Sequence, residues 1–62
     1  MKITVNGEPR DVEQGTTVHA LVGAPQGIAV ALNGAVVPSG SWASTPLAES
    51  DAVEIVAAHQ GG

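Results

Sequence analysis

The sequence predicts an α+β domain in which one short helix packs against a mixed β-sheet. Several segments alternate apolar and polar residues with the period of two that is typical of half-buried strands. Two Asn-Gly pairs, at 6–7 and 33–34, interrupt these segments, and Asn-Gly is the strongest short signal for a β-hairpin. Between the two hairpins, the apolar spacing changes to that of a helix. We therefore expect two hairpins, a helix between them and a further strand.

The first hairpin is predicted from residues 2–13. Residues 2–6 alternate apolar and polar side chains, and the first Asn-Gly pair follows them. The return strand, residues 8–13, contains Pro9, which lacks a backbone donor. We therefore expect this return strand at an edge of the sheet.

A short helix is predicted next, because Val18, Leu21 and Val22 fall on one helical face. Thr16 or Thr17 can serve as its N-cap. The Gly-Ala-Pro run at residues 23–25 then ends the helix after about two turns.

The second half of the chain predicts a hairpin, an irregular crossover and a last strand. Residues 28–32 place large side chains on one face and alanines on the other, and residues 35–37 return before Pro38. In the irregular stretch, we expect a single turn around Trp42, with the indole in the core. The last strand spans residues 52–57.

This order of elements is economical if strands one and five lie side by side and parallel at the centre of the sheet. It is the β-grasp arrangement of ubiquitin-like proteins, with four or five strands packed on one helix. We expect residues 1–57 to form this domain and residues 58–62 to form a flexible C-terminal tail that ends in Gly61-Gly62.

Composition excludes several classes of function. Only Lys2 and Arg10 oppose six acidic residues, giving a net charge of −4, so binding to nucleic acid or to an anionic membrane is not expected. No cysteine is present, and His19 and His59 lack the spacing of metal ligands. Neither a phosphate-binding loop nor a catalytic triad is apparent. No targeting segment is visible, and we expect a cytoplasmic protein that is not itself an enzyme and binds no metal.

The terminal Gly61-Gly62 pair is the exception to this lack of chemical signals. Glycine has no Cβ, so its backbone can pass through a narrow channel. Five extended residues reach about 17 Å, which is enough to place a terminal carboxylate inside the pocket of another protein. Because a carboxylate is a poor electrophile, it must first be activated, and a nucleotide-dependent enzyme is the natural source of that activation.

Several short motifs follow one another in a fixed order along the chain: Asn6-Gly7, Gly15-Thr16-Thr17-Val18, Val30-Ala31-Leu32-Asn33-Gly34, Val36-Val37-Pro38, Trp42, Asp51-x-Val53-Glu54-Ile55 and Gly61-Gly62. With these motifs the sequence resembles, over its full length, the ThiS family, the sulfur carriers of thiamin biosynthesis. Two features depart from the family: Ser39 stands where a basic residue is common, and the helix is about one turn shorter, with Ala20 where an acidic residue is often found.

The resemblance implies a mechanism centred on Gly62. A ThiF-like adenylyltransferase would use ATP and Mg to convert the Gly62 carboxylate into an acyl-adenylate, after Gly61 and Gly62 have threaded into its active site. A persulfide donor would then supply sulfur to form a thiocarboxylate, and the thiazole synthase ThiG would take that sulfur. The carrier itself would bind no cofactor.

Strand alternation also predicts a docking face. If the large strand residues face the helix, Thr4, Ala29, Ala31, Glu54 and Val56 point to the open side of the sheet. We expect the activating enzyme to dock there, chiefly on Thr4, Ala29, Ala31 and Val56. A small alanine-rich sheet without a docking role remains an equal alternative.

Other functions remain open at the level of sequence. The chain could carry sulfur for molybdopterin, a thioamide metabolite or cysteine. It could also be a ubiquitin-like protein modifier, although Lys2 is its only lysine and chain formation would have almost no acceptor. A structural module whose terminal glycines have no role is a further alternative.

Overall fold

Five strands form one mixed sheet in the computed structural model, which describes residues 1–23 and 26–57. The strand order is β2-β1-β5-β3-β4. The elements are β1 (Lys2–Val5), β2 (Glu8–Asp11), α1 (Val18–Val22), β3 (Ile28–Leu32), β4 (Ala35–Val37), a 3₁₀ helix η1 (Ser39–Ser44) and β5 (Ala52–Ala57).

Strand β5 lies at the centre of the sheet. It runs parallel to β1, with Val5 opposite Val53, and antiparallel to β3, with Val30 opposite Ile55. The predicted parallel pairing of the first and last strands is therefore confirmed, as is the β-grasp fold. The sheet has five strands, where the sequence predicts four or five.

Strand β2 lies at an edge of the sheet, as Pro9 predicts. It ends at Asp11, two residues earlier than predicted. Its partner β1 begins at Lys2, so beyond Asp11 the pairing is reduced to the hydrogen bonds between Val12 and Met1. The Val12 N–H donates to the Met1 carbonyl at 2.9 Å, and the Met1 amino group donates to the Val12 carbonyl at 2.6 Å.

Both hairpins turn through their Asn-Gly pairs. Asn6 and Gly7 have φ of 52° and 83°, and Asn33 and Gly34 have φ of 51° and 86°. Positive φ at both central residues matches the right-handed twist of the flanking strands. The turns fix the registers, so that Val5 lies opposite Glu8 and Leu32 opposite Ala35.

The helix spans five residues, Val18–Val22, and is shorter than the predicted two turns. Thr17 is the N-cap, because its hydroxyl oxygen accepts from the Ala20 N–H at 3.1 Å. The Thr16 hydroxyl instead donates to the Glu13 carbonyl at 2.7 Å. Gly23, with φ of 75°, ends the helix after its N–H has bonded to the His19 carbonyl.

The core lies between the sheet and the layer formed by α1 and η1. Trp42 is only 5% exposed, so its predicted core position is confirmed. Its turn is longer than predicted, since η1 covers six residues. The buried apolar residues are Ile3, Val18, Val30, Trp42, Leu47 and Val53.

Candidate functional site

The predicted site of modification, Gly62, and its neighbour Gly61 lie outside the described residues, as does the whole predicted tail, 58–62. The threading of these glycines and the modification of Gly62 therefore stay predictions. What the structure describes is the strand that leads to them. This strand, β5, ends at Ala57, immediately before residue 58.

Two elements hold the end of β5. On one flank, β3 pairs with it as far as Ile28 opposite Ala57. On the other flank, the β1 strand ends at Val5, and the Asn6 side chain takes over. Its Oδ1 accepts from the Ile55 N–H at 2.8 Å, and its Nδ2 donates to the Ile55 carbonyl at 3.2 Å. Ile55 thus has a backbone partner on one side and a side-chain partner on the other, and β3 pairs with Val56 and Ala57 beyond it.

The predicted docking residues on β3 and β5 lie together on the face of the sheet away from α1. Ala29 pairs with Val56, while Ala31 lies between Val36 of β4 and Glu54 of β5. These side chains line a shallow depression, which we call the open-face patch: Ala29, Ala31, Val36, Glu54 and Val56. Small alanines form its floor, because a methyl group does not rise above the strands.

Thr4 is not part of the open-face patch. It is half-buried on β1 and lies between Pro9 and Ala52. Because β1 and β5 are parallel, this register puts Thr4 level with the beginning of β5, four residues before Val56. At about 3.3 Å per residue, this is about 13 Å along the strand.

Val36 belongs to the open-face patch but is missing from the predicted docking residues. It is 75% exposed, and Val56 is 58% exposed. They are the exposed large hydrophobic residues of the described part of the chain. The signal for Val36 is present in the sequence, since a two-residue turn at Asn33-Gly34 puts Ala31 opposite Val36.

The open-face patch carries one ionisable side chain, Glu54, which is exposed. The two cationic side chains of the sequence belong to the other half of the sheet, where Lys2 lies 4.0 Å from Asp11 and Arg10 lies on β2. The patch is therefore apolar with a negative charge beside it. A partner surface that combines apolar side chains with a cation is its physical complement.

Within residues 1–23 and 26–57, no group of three or more His, Cys, Asp or Glu side chains could hold a metal ion. In the same ranges, no helix is long and apolar enough to cross a membrane. What the described part of the chain offers is an exposed, largely apolar patch and a strand that ends five residues before Gly62.

Comparison with known proteins gives a consistent assignment. The model of the ThiS family matches residues 3–62. The crystal structure of the thiamine biosynthesis protein ThiS from Geobacter metallireducens superposes with a TM-score of 0.86 at 32% identity, over 100% of both chains. A solution structure of a thiamine biosynthesis protein from the same organism gives a TM-score of 0.72 at 30% identity, over 100% of this chain and 88% of that one.

Two curated relatives are much longer than this chain. A thiazole synthase of Magnetococcus marinus is 42% identical and one of Paramagnetospirillum magneticum is 38% identical, each alignment covering 100% of this chain. The chain spans about a fifth of the length of these relatives, since the alignment covers 20% of each.

Proposed function

Because the chain belongs to the ThiS family, we propose that it carries sulfur for thiamin biosynthesis as a protein cosubstrate. The observation that carries the proposal is the match over residues 3–62, which includes the Gly61-Gly62 terminus on which a carrier of this kind depends. The β-grasp fold supports it, because the central strand leads directly into that terminus.

The proposed reaction takes place on the carboxylate of Gly62. A carboxylate oxygen attacks the α-phosphate of ATP in a ThiF-like adenylyltransferase, and pyrophosphate leaves with Mg. The terminal sulfur of a persulfide donor then attacks the acyl carbon and AMP leaves. Cleavage of the resulting S–S bond by a thiol produces the thiocarboxylate. In this scheme ATP and Mg bind to the partner enzyme, and the carrier contributes its terminus and a docking surface.

A ThiG-like thiazole synthase is the proposed acceptor of the sulfur. The support is the likeness of this chain to about a fifth of two proteins named thiazole synthase. In those relatives a ThiS-like segment and the rest of the protein share one polypeptide. Such covalent linkage raises the local concentration of one partner for the other, and it is favourable where a carrier must deliver to that enzyme.

The open-face patch is the proposed docking surface for the activating enzyme. Val36 and Val56 project from it, and Ala29 and Ala31 leave room for side chains of the partner. Exposed apolar side chains grouped in this way favour a protein contact. Thr4 lies at about 13 Å from the level of Val56, so we assign it to the margin of the contact.

Intact-mass spectrometry tests the proposal. The protein is incubated with a bacterial ThiF-like enzyme, MgATP and a persulfide donor, and its mass is recorded. Exchange of one oxygen for sulfur is expected, and deletion of Gly62 should abolish it. A conjugate of higher mass would instead indicate a protein modifier. If no ThiF-like enzyme changes the mass of the native chain, the carrier function is refuted.

A further inference from the structure

Two asparagines bind the backbone of the central strand from opposite sides. Asn6 and Asn33 both stand first in an Asn-Gly turn with φ near 50°, and both side chains reach β5. Asn33 does so at the beginning of β5, where its Oδ1 accepts from the Ala52 N–H at 2.9 Å. Its Nδ2 donates to the Asp51 carboxylate at 3.0 Å. Asn6 does so three residues further on, at Ile55.

The Asn6 side-chain amide bonds to β5 where the backbone of β1 no longer does. The backbone of β1 follows β5 as far as Asn6, whose N–H donates to the Val53 carbonyl at 2.8 Å, and the chain then turns away at Gly7. The next N–H and C=O of β5 on this flank belong to Ile55. A carboxamide has the same donor and acceptor as a peptide unit, and it bonds to both groups of Ile55. The parallel ladder is thereby extended by one residue.

This extension lies where the strand leads to the predicted site of modification. Ile55 is seven residues before Gly62, and only Val56 and Ala57 of β5 follow it. Val56 belongs to the open-face patch. Fixing the backbone at Ile55 therefore fixes both the edge of the docking surface and the starting point of the last five residues.

We propose that Asn6 is a positioning residue, which sets the point from which the terminal residues reach the active site of the activating enzyme. The inference rests on the proposed sulfur-carrier function and goes beyond it. Asn6 acts through the Ile55 backbone and does not touch the reacting carboxylate. Without the amide, β5 keeps its β3 partner but loses the partner on the other flank beyond Val53. Additional residues then have to be ordered whenever the terminus enters the enzyme, and ordering each residue is unfavourable.

The test compares Asn6→Gly with Asn33→Gly. Glycine accepts positive φ without strain, so both variants keep the hairpin turn and lose two side-chain hydrogen bonds. They differ in which part of β5 loses its side-chain partner: Ile55 in Asn6→Gly and Ala52 in Asn33→Gly. With a ThiF-like enzyme and MgATP, we expect Asn6→Gly to lower kcat for pyrophosphate release about tenfold, with KM changed less than about twofold because the docking side chains remain. Asn33→Gly should keep kcat within about twofold of the native protein.

Amide hydrogen exchange provides a readout that does not depend on the enzyme. The Ile55 N–H should exchange much faster in Asn6→Gly, and the Ala52 N–H in Asn33→Gly. If Asn6→Gly does not fold, Asn6→Asp takes its place, since it keeps the oxygen that accepts from Ile55 and loses the donor. A smaller loss of kcat is expected for it, in the same direction.

Three outcomes would overturn the inference. Equal kcat for Asn6→Gly and Asn33→Gly would show that it does not matter which end of β5 loses its side-chain hydrogen bonds. If Asn6→Gly raises KM and leaves kcat unchanged, Asn6 contacts the partner directly. Unchanged exchange at Ile55 would show that the amide does not hold the strand. Failure of the native protein to release pyrophosphate with any ThiF-like enzyme would instead refute the proposed function, and the inference with it.

Discussion

The indole Nε1 of Trp42 donates a hydrogen bond of 2.9 Å to the carbonyl of Val37. This bond joins η1 to the last residue of the edge strand β4. The same indole is 5% exposed and belongs to the core that also contains Val18. The Trp42 side chain therefore packs in the core and also bonds the end of the edge strand β4 to η1.

Replacement of Trp42 should test both contributions. Trp42→Phe keeps most of the ring but removes the donor, and we expect the free energy of unfolding to fall by about 1–2 kcal/mol. Trp42→Ala also leaves a cavity and should lower it by about 3–5 kcal/mol, which is much of the stability of so small a domain. Urea denaturation followed by circular dichroism measures both. The control is Val36→Ala, which should change the value by less than about 0.5 kcal/mol, because Val36 is 75% exposed.

The N-cap of α1 gives a second prediction. Thr17→Ala removes the oxygen that accepts from the Ala20 N–H and should lower the free energy of unfolding by about 1 kcal/mol. Thr17→Ser keeps this oxygen and should remain within about 0.5 kcal/mol of the native value. Chemical denaturation compares the three proteins. Equal stability of the alanine and serine variants would show that the cap bond contributes nothing.

The open-face patch should respond to a bulky charge at its floor. Ala31→Arg puts a long cationic side chain between Val36 and Glu54. We expect kcat/KM for pyrophosphate release with a ThiF-like enzyme to fall about tenfold or more, while the far-UV circular dichroism is unchanged. Ala43→Arg is the matched control, because Ala43 is exposed on η1, in the layer on the other side of the sheet. Native activity of Ala31→Arg would refute docking on this face.

Glu54 should contribute through its charge. Glu54→Gln removes the negative charge of the patch and should lower kcat/KM about two- to fivefold at low salt. The difference should shrink as salt rises, because exposed charges are screened. Glu13→Gln changes the net charge equally but follows the opposite edge strand β2, and it should have little effect. Equal effects of the two substitutions would mean that net charge alone matters.

The sheet could be predicted from sequence because its signals are local. The Asn-Gly pairs define both hairpins and their registers, and the alternation of residues 28–32 and 52–57 identifies two central strands. The family pattern that includes Asn6-Gly7 and Gly61-Gly62 then identified ThiS, as the family match confirms. The turn and alternation signals depend on neighbours a few residues apart, and the family motifs depend on their order along the chain; a sequence displays both directly.

Other features depend on contacts between distant parts of the chain. The end of β2 is marked by the bonds between Val12 and Met1. The start of α1 is held by a distant segment, since Thr17 forms an isolated bridge with Pro46 and the Val18 N–H donates to the Thr45 carbonyl. Thr4 and Val56 point to the same face of the sheet, but a shared face does not fix their separation, because Thr4 lies opposite Ala52 at the beginning of β5. The bond between Asn6 and Ile55 spans 49 residues. No pattern of spacing reveals such a pairing.

The central place of β5 has a consequence for biosynthesis. β1 and β3 each pair with β5 and lie on opposite sides of it. Before residues 52–57 have left the ribosome, the two hairpins therefore have no strand between them. Antiparallel hairpins of this size are marginal on their own in water. Translation that stops before β5 therefore yields no folded domain, because the two hairpins lack the strand that joins them.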